Sequence, residues 1–69
     1  MNAIEKELTS RKTEIQAEVL AVFKVNMKIT DWDVPEADDK QAAMILVQIM
    51  QEKLDQIKQD VEAGKYDNY

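Results

Sequence analysis

Pro35 and Gly64 are the only proline and the only glycine of this 69-residue chain, and residues 36–63 between them hold no helix breaker. Punctuation this sparse excludes an all-β fold, which needs a turn every few residues and draws on both residue types to make them. It predicts an all-α chain of few, long helices.

Local signals place those helices. Asn2, with Glu5 three residues later, is a capping-box start, and Ile4, Leu8, Ile15, Val19 and Val22 recur at helical spacing. Glu7 and Arg11 stand in the favourable order for an i,i+4 ion pair. A first helix is expected over about 3–28 and a loop over 30–34. Asp33 as N-cap, Pro35 in the first turn and Glu36 at the capping-box position start a second helix, over about 34–63. Gly64 is placed to end it in the left-handed conformation, leaving a short tail, 64–69. The two helices make an antiparallel hairpin.

Residues 23–30 admit another reading. Phe23, Val25, Met27 and Ile29 alternate with Lys24, Asn26, Lys28 and Thr30, the period of a half-buried strand. A lone strand leaves its own edges unpaired. The alternative fold is therefore α-β-α, with residues 23–30 paired across the two-fold axis of a dimer. Helix is the favoured reading.

One domain spans 1–69, because a second core needs a much longer chain. Such a short chain buries only about 60% of its unfolded surface and is marginal alone. Cysteine and histidine are absent, which removes disulfides, thiolate zinc sites, thiol nucleophiles and histidine-based catalysis. Stability is expected from another copy of the chain.

The second helix shows where. Ala43, Val47, Met50, Leu54, Ile57 and Val61 are spaced 4, 3, 4, 3 and 4 residues apart, the seam of a coiled coil or bundle. Met44, Ile45, Leu46, Ile49 and Met50 widen it into an apolar girdle, which calls for more than one neighbour. A parallel self-pair sets Lys53 against Lys58, so two antiparallel hairpins forming a four-helix bundle are expected. The dimer or partner interface is assigned to Met44, Ile45, Leu46, Val47, Ile49, Met50, Leu54 and Ile57. Met27, Met44 and Met50 suit an adaptable surface. Trp32 is read as a lid over the hairpin end or as an interface anchor. Tyr66 and Tyr69 form either a docking tail or a frayed end.

Chemistry is sparse. Asp31, Asp33, Glu36, Asp38 and Asp39 cluster, but a calcium loop needs a central glycine where Pro35 interrupts, and helix capping accounts for these acids. Glu36/Asp39 and Glu52/Asp55 each place two carboxylates on one helix face, read as solvated surface. No metal, cofactor or catalytic residue is assigned, and an enzyme is not expected. The net charge of −5 disfavours direct binding to nucleic acid and to anionic lipid. No apolar run is long enough to span a membrane, and the N-terminus lacks a signal peptide's basic start and apolar centre. A cytoplasmic location is expected. The function expected is a small acidic protein–protein interaction or regulatory module, acting as a homodimer on another protein. The alternative is an acidic nucleic-acid mimic that blocks a basic groove.

Overall fold

The computed structural model describes residues 2–36 and 38–69; Met1 and Ala37 lie outside them. Among the described residues every regular element is helical: α1 over Ala3–Ser10, α2 over Lys12–Asp33 and α3 over Asp39–Glu62. The Asn2 side chain accepts from the Glu5 backbone N–H at 2.8 Å and donates to its carboxylate at 3.3 Å. Asn2 is thus the N-cap of α1, with its amide also tied to the Glu5 side chain.

The first helix does not run unbroken. Arg11 has φ −102° and ψ 6°, and its N–H bonds the Leu8 carbonyl, a shortened turn. The Ser10 hydroxyl donates to the Glu7 carbonyl at 2.7 Å, competing with the backbone as such back-bonds do. Arg11 consequently reaches forward to Glu14 at 3.3 Å rather than back to Glu7.

Residues 23–30 are helical, which overturns the α-β-α alternative. On a helix, the alternation becomes two stripes. Phe23 and Met27 lie on one face at 100° per residue, while Val25 and Ile29 fall on the far side. The helix also continues past the expected stop, so residues 30–33 form its last turn and the expected loop over 30–34 is displaced beyond Asp33. Val34 precedes proline, which disfavours the helical region. It adopts φ −132° and ψ 76°, while its N–H still closes the turn on the Thr30 carbonyl at 2.8 Å. The same restriction prevents a helix from starting at 34. α3 begins at Asp39, capped by Asp38, whose carboxylate accepts from the Lys40 N–H at 3.0 Å. Asp33 is not its cap.

The end of α3 follows the expected design. Gly64 has φ +84°, the Lys65 N–H reaches the Asp60 carbonyl at 3.0 Å, and the Gly64 N–H reaches that of Val61 at 3.1 Å. These two bonds make a Schellman motif. The tail turns rather than extends, with the Tyr66 and Tyr69 rings edge to face at 5.7 Å.

α2 and α3 form the hairpin. Phe23, Asn26, Met27 and Thr30 on one side and Ala42, Ala43, Leu46 and Met50 on the other are half-buried. The small side chains of Ala42 and Ala43 allow close approach next to the loop. Asn26 enters this seam at little cost because its amide donates to the Val22 carbonyl at 2.8 Å. Farther from the loop, coverage fades and every apolar side chain is exposed. α1 touches α2 but not α3.

The molecule measures 49 × 27 × 17 Å with a radius of gyration of 15.9 Å, against about 11 Å for a compact domain of this length. None of the described residues is fully buried. No described helix is long and apolar enough to cross a membrane.

Candidate interaction surface

The eight side chains assigned to an interface do not share one face. Leu46 and Met50 turn into the hairpin and are half-buried against α2. Val47 and Leu54 line one flank, where Gln16, Val19, Leu20 and Phe23 face them across an open groove of about 330 Å³. Ile45 and Ile49 line the other flank, in a second groove of similar volume that includes Thr30, Val34, Ala42 and Leu46. Met44, 65% exposed, points away from both. Ile57 continues the inward line of Leu46 and Met50 and, at 37% exposed, is less open than Val47 or Leu54. The girdle thus surrounds α3, and α2 covers one side of it.

Trp32 is 87% exposed, which corrects its reading as a lid. It stands nine residues after Phe23, half a turn round the helix from the seam, so its ring faces outward. With Lys28, Ile29 and Asp33 it borders a shallow depression on α2.

One apolar surface was recognised in the sequence only as far as Val22. Ile15, Val22, Val25, Ile29 and Trp32, spaced 7, 3, 4 and 3 residues apart, form an exposed stripe on the outer side of α2. The three-four spacing was its signal. It was obscured because residues 23–29 also read as a strand.

The acids are dispersed. Asp31 and Asp39 border a third groove, of about 520 Å³, with Phe23, Val25, Met27 and two lysines. Asp38 is used as a cap, and Asp33 lies beside Trp32. Among the described residues no three acids converge where they could hold a metal ion. On α3, glutamines donate to acids one turn on: Gln48 to Glu52 at 3.5 Å, Gln51 to Asp55 at 3.0 Å and Gln56 to Asp60 at 3.0 Å. Glu52 and Asp55 each accept from a different glutamine. The Gln56 amide and the Lys65 ammonium, 3.2 Å away, hold the Asp60 carboxyl below its ordinary value. Hydrogen bonding and opposite charge both favour its ionised form.

What the arrangement offers chemically is open apolar grooves with charged rims, suited to packing against another helix. No protein-family model, curated protein or solved structure matches the chain.

Proposed function

We propose that the chain is a small acidic protein–protein interaction or regulatory module that acts as a homodimer and binds or inhibits another protein. In this reading two antiparallel hairpins join into a four-helix bundle through the exposed flanks of α2 and α3, and a remaining apolar flank receives the target. The observation that carries it is the exposed area. The chain presents 6311 Å² to solvent, whereas a compact monomer of 8.0 kDa presents about 4,450 Å². The surplus, about 1,900 Å², exceeds the roughly 800 Å² that each partner buries in a standard interface. Nor is it dispersed polar surface, since Met44, Ile45, Val47, Ile49 and Leu54 are all among the exposed side chains. Patches of that kind mark contact sites in folded proteins.

Salt dependence tests this reading against the acidic mimic. Self-association and target binding through apolar flanks hold steady or strengthen as salt rises to about 1 M, where the Debye length is about 3 Å. A mimic that occupies a basic groove loses its target steeply over the same range. Loss of binding in salt, with no self-association at any concentration, overturns the proposal.

A further inference from the structure

The turn that ends α2 is built against the helix it closes. Asp31 and Asp33 stand in it, and it holds no basic residue. This is the negative end of the helix dipole, where a carboxylate is repelled and a lysine or arginine is preferred. Among the described residues the ion pairs are Arg11 with Glu14 and Lys65 with Asp60, so neither aspartate is offset by a bonded cation. Trp32 between them is 87% exposed, although tryptophan is highly buried on average. Neither feature supports the hairpin, since the ring covers nothing and the carboxylates oppose the dipole. Residues that break local rules without a structural gain mark a functional surface.

The charge around this turn selects its occupant. Residues 28–40 hold five acids and two lysines, so three of the chain's five net negative charges lie at the loop end. Two copies meeting by this pole repel each other, and anionic lipid and nucleic acid are repelled as well. Asp38 and Asp39 stand at the start of α3, where the dipole favours them. Asp31 and Asp33 have no such use. We propose that the Asp31–Trp32–Asp33 turn docks a basic segment of another protein, with an arginine stacked on the exposed indole. Successive helical residues stand 100° apart, so the two carboxylates flank the ring, and basic neighbours of that arginine pair with Asp31 on one side and Asp33 on the other. A guanidinium both stacks on an aromatic face and bonds a carboxylate, and tryptophan and arginine recur together at interface hot spots. Ile29, in the depression beside Trp32, offers apolar surface to the arginine's methylene stem. Lys28 borders that depression too and repels cations, so a segment of few, spaced basic residues fits better than a dense run. The inference names the partner chemistry of the interaction reading and does not depend on the dimer.

The probe is a capped peptide in which three arginines alternate with glycine, with its lysine counterpart as comparison. Binding is read from amide shifts of residues 28–34 by nuclear magnetic resonance. The arginine peptide is expected to bind roughly fivefold more tightly than the lysine peptide. Trp32→Ala abolishes that preference. Asp31→Asn with Asp33→Asn weakens binding about tenfold, whereas removing the same charge on α3, by Glu52→Gln with Asp55→Asn, changes it less than about twofold. The asparagine pair at the turn is also expected to raise the thermal midpoint, because it relieves the dipole. Equal weakening by the two charge-removing pairs overturns the proposal, since it shows diffuse attraction to net charge. So does a peptide that shifts no amide at millimolar concentration. A lowered midpoint in Asp31→Asn with Asp33→Asn overturns it as well, by giving the aspartates a structural role. Sedimentation keeps the two readings apart. A monomeric parent that binds the arginine peptide in this way removes the homodimer alone, and a dimer that ignores the peptide removes this docking turn alone.

Discussion

Replacing Ile49 by alanine separates a lone hairpin from an assembled one. Ile49 is 56% exposed and sits on α3 in the groove with Val34, Ile45 and Leu46. Full burial of an isoleucine contributes about 1.5–3 kcal/mol, so covering the part still open contributes about 1–1.5 kcal/mol per chain. A two-fold dimer loses this twice, about 2–3 kcal/mol, which raises its dissociation constant roughly 30- to 150-fold. Within one chain the effect is smaller. The covered part of the side chain is lost, but alanine is the better helix former, and the net cost is about 0.5 kcal/mol. Sedimentation equilibrium of parent and variant over a dilution series measures the first quantity, and urea unfolding at the lowest concentration measures the second. A dissociation constant that moves by less than about threefold, with helix content retained, refutes the assignment of this flank to an interface.

The remaining predictions concern the supports of the hairpin. Gly64→Ala forces a Cβ onto φ +84°, 3.0 Å from the Asp67 carboxylate, and destabilises α3 by about 1 kcal/mol in a thermal melt. Asp60 has its folded pKa lowered, so its contribution is complete above the ordinary carboxylate range and is lost as pH falls through the folded value. Acid titration followed by circular dichroism should therefore show that Asp60→Asn loses less stability than the parent between about pH 5 and pH 2. Ser10→Ala removes the back-bond to the Glu7 carbonyl, so helix is expected to run through Arg11, with slower amide exchange at residues 12–14. Unchanged exchange there excludes Ser10 as the cause of the break.

Helix ends signalled by a single local residue were legible in the sequence. Asn2 with Glu5 and Gly64 act as their types predict, because a cap is made by side chain and backbone within a few residues. The loop was displaced by about four residues because two local rules competed. Asp33 has the chemistry of a cap, but Val34 before Pro35 cannot open a helix, and Asp38 takes that part. Residues 23–30 were ambiguous for a different reason. Two stripes on opposite faces of one helix write the same alternation as a strand, and only packing against Leu46 and Met50 resolves them. The residues of α3 assigned to an interface were recognisable as an apolar girdle, but which of them point at α2 depends on the hairpin's register. That register divides Leu46 and Met50 from Val47 and Leu54 on one flank and Ile45 and Ile49 on the other. The lid reading of Trp32 failed because its direction follows from the helical phase of α2, fixed by Phe23 and Met27 about 14 Å and about 8 Å back along the same helix.

The central claim is that this hairpin is incomplete without a second copy. The direct measurement is the mass in solution at tens of micromolar by sedimentation equilibrium. The account predicts about twice the 8.0 kDa chain mass, dissociating on dilution. A mass of 8.0 kDa at every concentration contradicts it.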